Sequence, residues 1–582
     1  MIEEKIKDLI KKALKNLNIE VEEILLEHPA DLKMGDYSTN VAMALAKKEK
    51  INPKELAEKI VATLRQAQGE FHGNEIQKIE TAGLGFINFY LSQEFFNENV
   101  ANILKLKENF GKNNFFSGKK VMIEYTQPNP FKPFHIGHLM SNAIGESLSR
   151  IFEISDAKVI RANYQGDVGP HVAKAIYCLL KTGLPNEEMS IPEKAEYIGK
   201  CYAKGNDAYE SDIEIKKEID EINKKIYEKS DEEINKIYDW GRKITLEAFE
   251  EIYKKLGTKF DEYFFESAVA PIGQMIVEEN MDKAESLENN RKIFEKSDGA
   301  IVFKADKFDP KLHTRVFVNS HGLPTYETKE LGLTELKFKK ENPDISVVVT
   351  ANEQEEYMKV VKKALEIIKP EIAQKLKHIV HGMMRLSTGK MSSRKGNVIT
   401  GESLLDDAEK EIAGKIADRN FTEEEKIKIA SDVGVSALKY SILKSAIGGD
   451  IVYDFEKSIS FEGDSGPYLQ YSYARAKSIL EKALEEKIVS GFENIPNELF
   501  EIEKLICRFP EVVLHSAEEF EPHYIANYLV ELARSFNGFY GNTKIIDKDD
   551  PASSYKVALT EAFSIVMKSG LNLLGIKAPE KM

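Results

Sequence analysis

Two short stretches hold residues whose types and spacing suit phosphate chemistry. The first is PNPFKPFHIGH (128–138), which places His135 and His138 three residues apart at the predicted start of a helix. A helix start offers free N–H groups and the positive end of the dipole, so it suits a phosphate. Gly137 removes a side chain where a nucleotide can approach the backbone. The two imidazoles can donate hydrogen bonds to charge developing on a phosphoryl group. Four letters of this kind also arise by chance, as ordinary polar histidines; a predicted strand before them and a helix after them favour the chemical reading. The second stretch, GKMSSRKGN (389–397), gathers Lys390, Arg394 and Lys395 around two serines between glycines. Such a loop can hold a triphosphate and neutralise a departing pyrophosphate. It lacks the spacing of a Walker A loop. Taken alone, it reads equally as a solvated basic turn.

The elements that must position these groups follow from the patterning. Residues 120–126 read as a strand, 135–153 as a helix and 156–164 as a second strand, a parallel βαβ unit. The prolines between the first strand and the histidines keep that loop out of a helix. A charged helical stretch covers 186–257. Strand patterns return at 300–305, 315–319, 346–350 and 378–382, with helices at about 327–338 and 353–368. The whole reads as one doubly wound α/β domain interrupted by a helical insertion. Ahead of it lies a compact α+β unit. It has an amphipathic helix over 1–17, a turn entering a helix over 35–48, a helix over 52–64 and a strand over 83–92. A Gly- and Asn-rich linker at 108–120 follows. From about 402 the pattern is all helical, with Tyr-rich stretches at 466–484 and 519–540.

Composition limits the partners. The 582 residues suit three to five domains. Lys and Arg total 81 and Asp and Glu 96, so the net charge of −15 excludes a basic coat over the whole surface but not a local basic groove. No apolar run approaches the ~18 residues of a bilayer span, and the N-terminus lacks the apolar core of a signal peptide. Cys178, Cys201 and Cys507 lie far apart and form no CxxC pair, so neither a disulfide scaffold nor a zinc cluster is expected. The chain reads as a large soluble, cytoplasmic protein.

Together, HIGH and a KMSKS-like loop some 250 residues later on one α/β domain resemble the class I aminoacyl-tRNA synthetases. The flanking IEYTQPNPFKPFHIGH resembles the arginyl type, and so do GDYSTNVAMALAK, NYQGDVGPH, LGTKFDEYFFES, GLPTYETKELG, ANEQEEYMK, GPYLQYSYARAKSIL and the terminal LGIKAPEKM. These matches run in order along nearly the whole chain, which is identified as a member of the arginyl-tRNA synthetase family. The resemblance implies a Rossmann-like catalytic domain over 116–405 with its insertion at about 183–260. It implies an N-terminal α+β domain over 1–115 that touches the tRNA core, and an all-α anticodon-binding bundle over 406–582.

It also implies roles residue by residue. His135, Gly137, His138, Lys390, Arg394 and Lys395 match the ATP site, with His135, His138 and Lys390 catalytic. Glu124, Gln127, Asn129, His138 and Gln354 fall where the family binds the amino acid's α-amino and carboxylate ends. Glu266, Tyr326 and Glu330 fall where it grips the guanidinium, a planar cation with five donors that wants carboxylates and a hydroxyl. Three positions depart from the family: Glu330 stands where Asp is usual, Gln127 where Ser is common, and Ser393–Arg394 where Lys–Ser is usual. Tyr468, Tyr471 and Met582 fall near the anticodon; the tyrosines, with Tyr473, also read as bundle core. His171 and His381 read as structural and Trp240 as core. The implied substrates are ATP with Mg²⁺, L-arginine and tRNA(Arg), with no zinc, no membrane and a monomer as the family's usual form. Three rivals are weighed: a class I synthetase for another amino acid, which would want a cationic pocket or zinc ligands where this chain offers Glu266 and Glu330; a nucleotidylyltransferase using HxGH on a small metabolite, which would not need the helical tail or the N-terminal domain; and an inactive tRNA-binding paralogue, against which intact His135, His138 and Lys390 argue.

Overall fold

The computed structural model describes residues 2–68, 75–281, 292–387 and 400–582. At its centre is a five-stranded parallel sheet of β1 (Lys120–Glu124), β2 (Lys158–Gln165), β3 (Glu262–Phe265), β4 (Ile345–Ala351) and β5 (Leu376–His381). The strand order is β5-β4-β1-β2-β3. The chain therefore reverses direction across the sheet between β1 and β4, which is where ligands bind in doubly wound folds. Val121, Met122 and Ile123 of β1 and Val347 and Val349 of β4 are all fully buried, as a sheet covered on both faces requires. Helix α1 (Ile136–Ile154) follows β1, α2 (Pro170–Thr182) follows β2, α3 (Glu266–Glu279) follows β3, and α4 (Tyr326–Lys340) precedes β4.

Two sequence expectations are corrected here. The strands expected at 300–305 and 315–319 do not join the parallel sheet. Ala300–Phe303 and Arg315–Val318 pair antiparallel, with Phe294–Ser297 on the outer edge, in a separate sheet over its own apolar cluster. Their alternation is equally compatible with either sheet, and only the tertiary fold chooses. The edge place is taken by Glu262–Phe265, too short to announce itself as a strand. The C-terminal part is not wholly helical either: Ile451–Tyr453 forms a short strand parallel to Met384–Leu386.

The insertion is three helices, Ile191–Ser211, Ile213–Glu228 and Glu232–Leu256, around a separate cluster with α2. The N-terminal unit has its own core beneath a three-stranded antiparallel sheet. It rests on the C-terminal helices, where Lys504 pairs with Asp36 at 2.9 Å and both Tyr37 and His28 bond Glu511. Phe110 and Phe116 in the segment expected as a linker are buried in the main core. That core runs without a break from the sheet through α1 into the C-terminal helices.

Candidate functional site

β1 ends at Glu124, and the loop after it is held under strain. Thr126, Gln127 and Phe131 adopt positive φ of 76°, 50° and 67°, a cost of ~1–3 kcal/mol each that the surroundings must hold. Thr126 N donates to Ser141 Oγ at 3.0 Å, and Ser141 Oγ donates onward to Val349 O at 2.9 Å, so one hydroxyl ties β1, α1 and β4. A Cβ on Gly145 would meet Tyr125 at 2.2 Å, so that glycine lets the loop lie flat on α1.

At the start of α1, His135 is the N-cap and His138 the third helical residue. The His135 backbone N–H donates to His138 Nδ1 at 3.2 Å, so the proton of a neutral His138 sits on Nε2. The rings stack with centroids 3.4 Å apart. Gly137 makes that possible: a Cβ there would lie 3.1 Å from His135 Cε1. Burial, aided by Lys132, lowers His135 to about 4, and burial with His135 and Lys132 carries His138 well below its usual range. Both are neutral donors at pH 7. Lys132, three residues before His135 in the same stretch, carried no role in the sequence reading.

Lys390, Arg394 and Lys395 lie outside the described residues. The chain re-enters beside the histidines: Thr400 bridges to His135, and Gly401 N donates to Phe134 O at 2.8 Å.

The expected arginine-binding residues converge next to this helix start, in a more crowded arrangement than spacing suggested. Glu124 is 1% exposed; Oε1 accepts from Gln127 Nε2 at 2.7 Å, while Oε2 pairs with Lys337 of α4. Asn129 Oδ1 accepts from Gly166 N at 3.2 Å. A Cβ on Gly166 would lie 2.4 Å from Asn129 Oδ1 and 2.7 Å from Glu266 Oε2, so the glycine brings those two side chains against one backbone. Glu266, the first residue of α3, is buried and pairs with Lys329 of α4. Its position is set from behind by Asp167, fully buried, which accepts from Ser267 N at 2.9 Å, Ser267 Oγ at 2.8 Å and Arg242 Nε of the insertion at 2.9 Å. Tyr326 opens α4 and is 67% exposed.

Glu330, one turn later, faces a different neighbourhood. Burial first, and then Glu124, push its carboxyl up to about 8. Gln354 accepts from Tyr357 OH at 3.2 Å. Tyr164 of β2 and Tyr357 feel the charges of Glu330 and Glu124, so they border the same space. The sequence reading missed Lys329, Lys337, Tyr164 and Tyr357. Only Tyr357 carried a signal, three residues after Gln354 on a predicted helix.

His171 Nε2 bonds Gly166 O at 2.9 Å, and buried His381 bonds Gly382 O at 2.8 Å through Nδ1. Trp240 is half-buried against the insertion core. Far from this centre, Asn537 Nδ2 donates at 3.0 Å to both Tyr468 OH and Ser472 Oγ, and Arg475 donates to Asn537 Oδ1. Arg475 also lies 4.8 Å from the Tyr471 ring and 5.1 Å from that of Tyr540. Tyr473 is buried, and Met582 packs half-buried on the main core. Among the described residues no group of three or more His, Cys, Asp or Glu side chains could hold a metal ion, and no helix is long and apolar enough to cross a membrane.

Comparison with known proteins agrees with this geometry. A family described as tRNA synthetases class I (R), catalytic domain, matches residues 99–455. The arginyl tRNA synthetase N terminal domain matches 4–91 and the DALR anticodon binding domain 469–582. The chain is 31% identical to proteins named arginine–tRNA ligase from Halothermothrix orenii and Clostridium perfringens, each covering 100% of this chain and 99% of the relative. A solved arginyl-tRNA synthetase from Thermus thermophilus shares its fold with a TM-score of 0.78 at 23% identity, over 100% of both chains. Histidines at a helix start, carboxylates beyond them and these matches over the full length agree: the chain belongs to the class I arginyl-tRNA synthetase family.

Proposed function

We propose that this protein joins L-arginine to tRNA(Arg) in two steps on the surface between β1, α1, α3 and α4. The observation that carries the reading is the convergence of Glu124, Glu266 and Glu330 beside the histidine-bearing helix start. A cationic substrate is what three carboxylates in one buried region fit.

In the first step the arginine carboxylate attacks the α-phosphorus of ATP, and pyrophosphate leaves. His138, neutral with its proton on Nε2, donates to the phosphate oxygens as charge builds, and His135 acts beside it. Lys390, Arg394 and Lys395 neutralise the departing pyrophosphate. Mg²⁺ arrives with ATP, held by phosphates and water rather than by a protein cage. Glu124, Gln127, Asn129 and Gln354 orient the α-amino and carboxylate ends, while Glu266, Tyr326 and Glu330 read the guanidinium. Positioning supplies most of the remaining acceleration. In the second step the 2′-OH of the terminal adenosine takes the arginyl group from the adenylate.

The units are assigned the boundaries read from sequence. Residues 1–115 contact the tRNA core, and 406–582 hold the anticodon, with Tyr468, Tyr471 and Met582 near its bases. The protein works in the cytoplasm as a monomer. Charging of cognate tRNA with each of the twenty amino acids tests the assignment, and uptake of any residue in preference to arginine overturns it.

A further inference from the structure

The pocket assigned to the guanidinium already contains a cation of the protein's own. Lys329 lies on α4, between Tyr326 and Glu330, with its side chain 8% exposed. Its ammonium donates to Glu266 Oε1 and sits 5.4 Å from the centroid of the Tyr326 ring. Burial works against its charge, yet Glu266 and Tyr227 of the insertion outweigh burial and raise its pKa. The acceptors proposed to read arginine thus face an internal ammonium, walled on the third side by the insertion.

The pair is held by backbone. A Cβ on Gly273 would lie 1.9 Å from Thr328 O, and one on Gly332 would lie 2.1 Å from Val269 O. Helices α3 and α4 therefore touch main chain to main chain on both sides of Lys329. The side of the pair bordered by Tyr326 is the open one, since that residue is exposed at the start of α4. A lysine stem has four rotatable bonds, so its ammonium can swing out past Tyr326 without moving either helix.

We propose that Lys329 is an internal competitor for the substrate side chain: its ammonium holds Glu266 in the empty enzyme and must swing toward Tyr326 before a guanidinium is seated. This rests on the assignment of Glu266 and Tyr326 to the guanidinium. The consequence is selectivity against lysine. A tethered ammonium competes at an effective concentration in the millimolar range or above. Free lysine would only exchange one ammonium for another. Arginine offers a planar fork with several donors, which engages both oxygens of a carboxylate as a point charge does not. Internal competition therefore filters by donor geometry as well as by charge.

The test compares Lys329→Met, Lys329→Arg, Glu266→Gln and wild type in full-length form. Charging of cognate tRNA is measured with L-arginine and with L-lysine, and melting with and without each amino acid. Lys329→Met should lower the arginine KM about threefold to tenfold, raise lysine charging by at least tenfold, and melt lower when empty but gain more on adding arginine. Lys329→Arg should raise the arginine KM at least tenfold with kcat retained, because the tether then carries the substrate's own group. An arginine KM that is unchanged or higher in Lys329→Met overturns the proposal, as does a wild-type KM in Lys329→Arg; should the Met variant not fold, the charge-keeping Arg variant decides alone. An unchanged arginine KM in Glu266→Gln instead overturns the pocket assignment beneath it.

Discussion

Glu330 is the residue at which this chain's chemistry is most exposed to measurement. Its carboxyl titrates near 8 because burial and Glu124 disfavour a second negative charge. The raised value sets the sign: below about pH 8 Glu330 is mostly protonated in the empty enzyme, so binding a guanidinium as an ion pair must expel a proton. Arginine kcat/KM should therefore climb with pH, by up to tenfold per unit below about 8, and level off above it. Glu330→Gln should flatten that rise and lower kcat/KM by ~2–4 kcal/mol equivalent at high pH, with less loss at pH 7. Arginine kinetics in both proteins from about pH 6 to about pH 9 check this; superimposable profiles would mean Glu330 does not meet the substrate. Gly166 is the companion case. Alanine there would place a methyl 2.4 Å from Asn129 Oδ1 and 2.7 Å from Glu266 Oε2. We expect the arginine KM to rise by about 10-fold, as ~1–3 kcal/mol of overpacking strain falls on the binding side chains. The melting temperature and the KM for ATP, measured alongside, should change little.

At the scale of elements, the pocket is a product of where helices begin and cross. Glu266 sits at the first position of α3 because Asp167, on the turn after β2, bonds Ser267 N and Oγ and clamps Arg242 of the insertion. Lys329 meets it because α4 crosses α3 at Gly273 and Gly332. Gly332→Ala would force the helices apart, since its Cβ would fall 2.1 Å from Val269 O. We expect a loss of ~1–3 kcal/mol or more in stability and a raised arginine KM. Chemical denaturation read beside arginine kinetics checks both; a stable variant with unchanged KM would show that the crossing does not set the pocket.

At the scale of the molecule, the catalytic helix is bolted to the C-terminal bundle. Ser147 Oγ donates to Leu573 O at 2.8 Å, Arg150 reaches Asn572, and Lys439, fully buried, donates to Leu256 O at 2.7 Å and Gly575 O at 2.8 Å. The same Arg150 bonds Glu146 at 2.7 Å, and Glu146 accepts from Tyr125, the residue after Glu124. Hydrogen bonds thus run from the bundle through α1 to the loop after β1. We expect negligible ATP–pyrophosphate exchange with arginine alone and restored exchange with cognate tRNA; robust exchange without nucleic acid would show a site assembled in advance. Within the bundle, Arg475 lies against both the Tyr471 and Tyr540 rings. Tyr471→Ala should raise the KM for tRNA by ~1–3 kcal/mol equivalent, as for a lost base stack, with little change in charging at saturating tRNA.

Sequence alone determined the helix start that presents His135 and His138, the parallel units around it and the family, because strand and helix periods and a run of ordered motifs are properties of consecutive residues. It singled out Glu124, Glu266 and Glu330, the three carboxylates of the proposed pocket. It could not say that Glu124 and Glu266 would each be met by a lysine from α4, or that Glu330 would lie next to Glu124. Glu124 lies more than two hundred positions from Glu330 and Lys337, and the contacts follow from sheet order and from the Gly273–Gly332 crossing, neither of which is written in local spacing. For the same reason, alternation at 300–305 and 315–319 announced strands but not their sheet. Partner choice belongs to the tertiary structure, where backbone hydrogen bonding and close packing select among pairings that the pattern leaves equal.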